Sequence, residues 1–246
     1  MDSKFIMFAG ASGVGKTTSA KYVEKSNEVV VDDELEETSS WIPFISGSVS
    51  DLLKNTKDMS HRDMLNRDAS TLQQEDWQII NLRKKLFDKA RGNGSFVCDR
   101  SFLDSAAYFL YKQADQIPQC EIGHFLALCK QLTSLHCSHL ILIDFTVDML
   151  SEWVTEDNGK RITNNYFQME ISRIMRMVLD IWKVKWLNDI TYLKQGKFFP
   201  QAKDLKYGAS RAVLESSYGT TQVMVLREYN LEIRERLIDN FINGKI

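Results

Sequence analysis

The sequence predicts a doubly wound α/β fold, with helices covering a parallel sheet of five strands. Three features carry that expectation. Short apolar runs recur without the in–out alternation of a half-exposed strand, as suits strands buried on both faces. Longer segments with helical spacing separate them. The first run also leads straight into a glycine-rich turn, GASGVGKTT at Gly10–Thr18.

Taken in order, the strands are Lys4–Ala9 (KFIMFA), Glu28–Val31, Ser95–Cys98, His139–Ile143 (HLILI) and Gln222–Leu226 (QVMVL). The helix after the turn is Thr17–Lys25. Thr71–Gly92 follows, with Leu72, Trp77, Ile80, Leu82, Leu86 and Phe87 at near-helical spacing. Further helices are expected at Ser101–Ala114, Glu121–Leu135, Tyr166–Leu187 and Asn230–Ile242. At 246 residues the chain can hold one large α/β domain or two small ones. With no internal repeat and no low-complexity linker, one domain over residues 1–246 is the expectation.

Composition narrows the classes further. Lys and Arg number 31 against 33 Asp and Glu, a formal charge of −2, which argues against a uniformly basic nucleic-acid binder. The four cysteines (Cys98, Cys120, Cys129, Cys137) form no CxxC pair, so structural thiols are expected in preference to a zinc site. No run approaches the length of a membrane span and no signal-peptide pattern opens the chain, so a soluble, cytoplasmic protein is expected. Nothing in the sequence separates a monomer from a homodimer.

The turn fits GxxxxGK[ST], with Gly10, Gly15, Lys16 and Thr17 at the fixed places and Ala11, Ser12, Gly13 and Val14 between. Glycines let backbone N–H groups converge on an anion, and Lys16 adds a point charge near the β- and γ-phosphates. The Thr17 hydroxyl can ligate Mg²⁺, and the helix from Thr17 and Thr18 presents its positive end. A plain glycine turn is the alternative, but strand, loop and helix all match a triphosphate cradle. The expected ligands are therefore ATP and Mg²⁺.

The next informative stretch is FVCDRSFLDSAAY, Phe96–Tyr108. Asp99 at a strand tip can hold the metal's water shell or take a proton, and Arg100 can grip phosphate bidentately. Alternatively the two form a surface ion pair. Asp144, ending HLILID, is a rival for the metal role.

This stretch resembles the DR-containing segment of thymidylate kinases and of the AAA_28 branch that includes ribosylnicotinamide kinases. EDNGKRITN, Glu156–Asn164, is similar to the segment that opens the lid in the latter relatives. The resemblance implies a P-loop kinase with a helical lid at about 153–187, whose closure brings Arg161 to the transferring phosphoryl group and excludes water. Arg173 and Arg176 are either further lid arginines or a solvated helix face. The resemblance also implies a carboxylate after the second strand to orient an attacking hydroxyl. Asp33 is chosen over Asp32, and an acidic solvated loop is the alternative. The catalytic set is then Lys16, Asp33, Asp99, Arg100 and Arg161, with Thr17 and Asp99 at the metal.

Two segments depart from a plain thymidylate kinase. Trp41–Ala69, with His61, Arg62 and Arg67, is either an inserted acceptor-binding cap or a surface excursion. Tyr192–Arg211 interleaves Lys194, Lys197, Lys203, Lys206 and Arg211 with Tyr192, Phe198, Phe199 and Tyr207. That pattern suits a strand of DNA or RNA, or an insertion whose aromatics pack inward. A small-molecule acceptor, a pyrimidine deoxynucleoside monophosphate, is the first expectation. A hydroxyl in nucleic acid is the second, a ribosylnicotinamide-like nucleoside the third. An acceptor-free ATPase or GTPase switch is the rival class, and no NKxD guanine-specificity motif supports it.

Overall fold

In chain order the elements are β1 (Phe5–Gly10), α1 (Lys16–Ser26), β2 (Phe44–Ile45), α2 (Val49–Leu52), α3 (Ala69–Gly92), β3 (Phe96–Cys98), α4 (Phe102–Gln113), α5 (Gln119–His136), β4 (His139–Ile143), α6 (Asn165–Ile181), β5 (Lys185–Tyr192), β6 (Phe198–Pro200), β7 (Gly208–Ser216), β8 (Gly219–Arg227) and α7 (Leu231–Ile242). The structure, a computed structural model, describes residues 3–26, 42–53, 68–145, 165–192, 198–200, 208–228 and 230–246.

One mixed sheet runs β2-β3-β1-β4-β8-β7-β5-β6. Its first five strands are mutually parallel, and the last three add on antiparallel beyond β8. Strand β1 lies between β3 and β4, and Ile6, Met7, Phe8 and Ala9 are fully buried, which is why the run lacks alternation. The β4–β8 register joins His139–Ile143 to Gln222–Leu226 residue for residue.

The sheet is wider than five strands, and the reasons are local. The helix expected to reach Leu187 stops at Ile181. Trp182 is buried and donates Nε1 to the Leu126 carbonyl, Lys183 adopts φ +57°, and the Val184 N–H returns to the Leu179 carbonyl. This is a Schellman-type closure with lysine in the left-handed position where glycine is usual. The chain then runs out as β5. Within Tyr192–Arg211, Tyr192 ends β5, Phe198–Pro200 forms β6, and β7 begins at Gly208. Strands β7 and β8 form a hairpin closed between Ser216 and Gly219, where Gly219 has φ +147°.

The expected strand at Glu28–Val31 lies outside the described residues, as do Asp32, Asp33, His61, Arg62, Arg67, Arg161, Lys194, Lys197, Lys203, Lys206 and Tyr207. Of the expected cap, β2 and α2 are described, and β2 pairs with β3 at the sheet edge. Among the described residues no helix is long and apolar enough to cross a membrane.

Helix starts near the cleft are built from side chains. Ser101 and Asp104 make a reciprocal capping box on α4: the Asp104 N–H donates to Ser101 Oγ at 3.3 Å, and the Ser101 N–H donates to Asp104 Oδ2 at 2.9 Å. Behind α4, Phe109 stacks on Phe125 at 3.8 Å between centroids, tying α4 to α5.

Buried at the end of α5, His136 lies among Phe87 and Phe102, and burial holds its imidazole down to about 4, outweighing the pull of Asp88. A histidine depressed from the ordinary 6.5 takes up its proton more readily in the unfolded chain. Its contribution is therefore present above 6.5 and is lost as pH falls toward 4. Denaturant melts should show stability dropping between pH 7 and pH 5, about 1–2 kcal/mol of it from His136. His136→Phe should lessen that slope, while His139, also held down to about 4 by burial, keeps the rest.

Candidate active site

Gly10 ends β1 against β4, and its φ of +149° is one a side chain rarely adopts. A Cβ there would lie 2.7 Å from the Ile143 carbonyl oxygen and 2.9 Å from Val14 Cγ2, so no larger residue fits. The loop that follows is held by its carbonyls. Lys16 Nζ donates to Gly10 O at 2.6 Å and Ala11 O at 2.5 Å. Gln168 Nε2, from α6, donates to Ser12 O at 2.8 Å, and Arg234 Nη1, from α7, donates to Val14 O at 3.2 Å. In a trans peptide the N–H points away from the C=O. The Ser12 and Val14 carbonyls, taken from outside by α6 and α7, therefore turn the Gly13 and Gly15 amides toward the opposite side, as an anion nest requires.

At the start of α1, Thr17 Oγ1 donates to Asp99 Oδ2 at 2.6 Å. Asp99 is buried just beyond β3, and its Oδ1 accepts from the Gly47 N–H at 3.3 Å. Gly47 is held in turn by Arg83 Nη2 on its carbonyl at 3.0 Å. A Cβ on Gly47 would come within 2.9 Å of both Arg100 Cβ and Cys98 Sγ. Thr17 and Asp99 form a pair of hard oxygen donors, which fits Mg²⁺ completed by phosphate and water.

Asp144, the rival carboxylate, faces other partners. Its oxygens lie 3.5 Å from Arg176 Nε and 3.4 Å from Arg227 Nε. Burial pushes its carboxyl up, and the two guanidiniums pull it back. Arg173 is exposed and bound to Glu170 at 3.0 Å, the solvated-face alternative, whereas Arg176 reaches the tip of β4. Ser172 from the same helix accepts from the Phe145 N–H at 3.0 Å.

Beyond Asp99, Arg100 and Arg83 head a cavity between α3 and α4. It is completed by Val49 of α2 and Phe167 of α6. Arg100 Nη1 lies 3.4 Å from Asp104 Oδ1. Burial alone would lower the Arg100 guanidinium, but Asp104, Tyr108 and Asp99 together raise it. Arg83 is fully buried, donating to Ser101 O at 2.8 Å and to Ser105 Oγ at 2.5 Å.

Gln168, Arg234, Arg83 and Gly47 were not singled out by the sequence. A polar side chain on an amphipathic helix reads as solvent-facing, and only Arg83 gives a hint, lying one position after an apolar residue inside LRKKLF.

A family profile for AAA_28, described as an AAA domain, matches residues 5–192. No curated protein matches the sequence. Among solved structures, thymidylate kinase from Candida albicans, described as broad in substrate specificity, superposes with a TM-score of 0.51. It is 14% identical and covers 74% of this chain and 80% of its own. At that identity the likeness is one of fold.

Two substitutions probe the loop. Gly10→Ala should weaken binding of a fluorescent ATP analogue by about tenfold or more, since either the loop or β4 must move. Arg234→Met, which removes the donor to Val14 O together with two hydrogen bonds to the Glu228 carbonyl, should weaken it by about three- to tenfold or more. Both are read by equilibrium titration alongside a thermal melt.

Proposed function

The chain belongs to the AAA_28 family, and from that premise we propose that it is a kinase passing the γ-phosphate of ATP to a pyrimidine deoxynucleoside monophosphate. The observation that carries the reading is the contact of Thr17 with Asp99, one residue before an arginine that heads a separate cavity. A nucleotide loop alone suits any NTPase. A second cavity headed by guanidiniums, next to the loop, suits transfer to an anionic acceptor.

In this reading the loop amides and Lys16 hold the β- and γ-phosphates, Lys16 exchanging loop carbonyls for phosphate oxygens. Thr17 and Asp99 would hold Mg²⁺, which supplies neutralisation of the developing charge. Arg100 holds the acceptor phosphate, one of whose oxygens attacks the γ-phosphorus in line. The bond to the β–γ bridging oxygen breaks, and ADP leaves with the electron pair. A monophosphate oxygen is already ionised near neutral pH, so no strong base is needed. Asp33 would matter only for a hydroxyl acceptor, and Arg161 would complete the charge clamp from the lid. Most of the acceleration is positioning and electrostatics.

The test is label transfer from γ-labelled ATP to a panel of nucleosides, monophosphates and single- and double-stranded DNA. Label on a pyrimidine monophosphate is expected. Label on polymer alone would favour a kinase acting on a hydroxyl in nucleic acid, and rapid ADP release from ATP alone would point to an acceptor-free NTPase. Lys16→Ala and Asp99→Asn should each lower kcat/KM by about a hundredfold or more.

A further inference from the structure

The cavity headed by Arg100 has a second charged end whose sign is opposite to the first. Arg83 of α3 meets Ser105 of α4, and Asp76 of α3 meets Lys112 of α4, so the two helices run antiparallel along its walls. Each pair of contacts is separated by seven residues, about 10 Å of helix on both walls. Ile79 and Tyr108 line the space between, and Phe167 lies 6.3 Å from the Tyr108 ring. The near end holds two guanidiniums, Arg83 and Arg100, against the carboxylate of Asp104. The far end holds two carboxylates, Glu75 and Asp76, against the ammonium of Lys112. A ligand that fits is anionic at one end, flat in the middle and rich in donors at the other.

Hydrogen-bond capacity sharpens the far end. Asp76 is buried, with Oδ1 accepting from Lys112 Nζ at 2.6 Å and Oδ2 from Gln113 Nε2 at 2.5 Å. A carboxylate has about four lone-pair sites, so roughly two on Asp76 remain. Among the described residues the two carboxylates set more acceptor sites at this end than Lys112 has donors, and a buried acceptor left unpaired costs about 1–3 kcal/mol.

Resting on the reading of this cavity as the acceptor site, we propose that the acceptor base carries an exocyclic amino group: a 4-aminopyrimidine monophosphate in preference to a 4-oxo one. The amino group donates to Asp76, and Lys112 donates to the ring nitrogen or 2-carbonyl beside it. A 4-oxo base brings one donor there, its N3–H, between two carbonyls that turn lone pairs toward the carboxylates, whereas a 4-amino base brings two N–H donors. Asp76 and Lys112 are thus specificity-determining residues, and the fold likeness to a thymidylate kinase does not extend to the base that is read.

The experiment compares dCMP with dTMP and dUMP as acceptors of label from ATP, and separately measures binding of each by calorimetry without ATP. A kcat/KM for dCMP at least about tenfold above that for dTMP and dUMP is expected. An equal or reversed ratio overturns the proposal. Asp76→Asn, which replaces one acceptor by a donor, should narrow the ratio by about tenfold, and an unchanged ratio in a folded variant also overturns it. Should that variant fail to fold, the unmodified chain's ratio decides alone. Tighter calorimetric binding of dCMP without label transfer would uphold the base preference while overturning the kinase reading. Binding of neither monophosphate would overturn both.

Discussion

A peptide unit cannot aim its oxygen and its hydrogen the same way, and the candidate site depends on that constraint. The glycines of the opening loop permit the unusual torsions but do not select among them. Selection comes from Gln168 and Arg234, which take the Ser12 and Val14 carbonyls from α6 and α7. Each of these donors is buried, so leaving its carbonyl would strand a polar group without water. The grip on phosphate is thereby made in advance, and binding need not organise it.

The same economy runs from Asp99 into the cavity. Arg83 holds Gly47, Gly47 holds Asp99, and Asp99 holds Thr17. Arg83 also holds Ser105 on the cavity wall. One buried guanidinium therefore links the wall of the cavity to the carboxylate beside the loop. Asp104 has a double duty of a similar kind, capping α4 with one oxygen and facing Arg100 with the other. Charge in this region is paired almost as fast as it is buried, which is what makes it tolerable.

Much of the parallel sheet was legible because burial on both faces leaves an unmistakable run of apolar residues. Strands β1, β3, β4 and β8 all announce themselves in that way. Strands β5 and β7 do not: β7 alternates between buried and partly exposed positions from Ala212 onward, and β5 follows a helix whose stop is signalled by no glycine. Lys183 in a left-handed turn is a conformation that packing of Trp182 imposes, and pattern reading has no access to it. In the candidate site, the motif residues were visible because their spacing is rigid. The residues that hold the motif were not, since Gln168 and Arg234 lie 156 and 220 positions away from their partners and come from helices whose polar positions look ordinary.

That last separation bears on synthesis. The nucleotide loop leaves the ribosome 220 residues ahead of the guanidinium that seats the Val14 carbonyl from α7. A growing chain carries the motif long before it carries the clamp. Until α7 docks, the nascent protein holds a glycine-rich ribbon without its full outer support, so full competence for ligand waits on a helix made long after the loop.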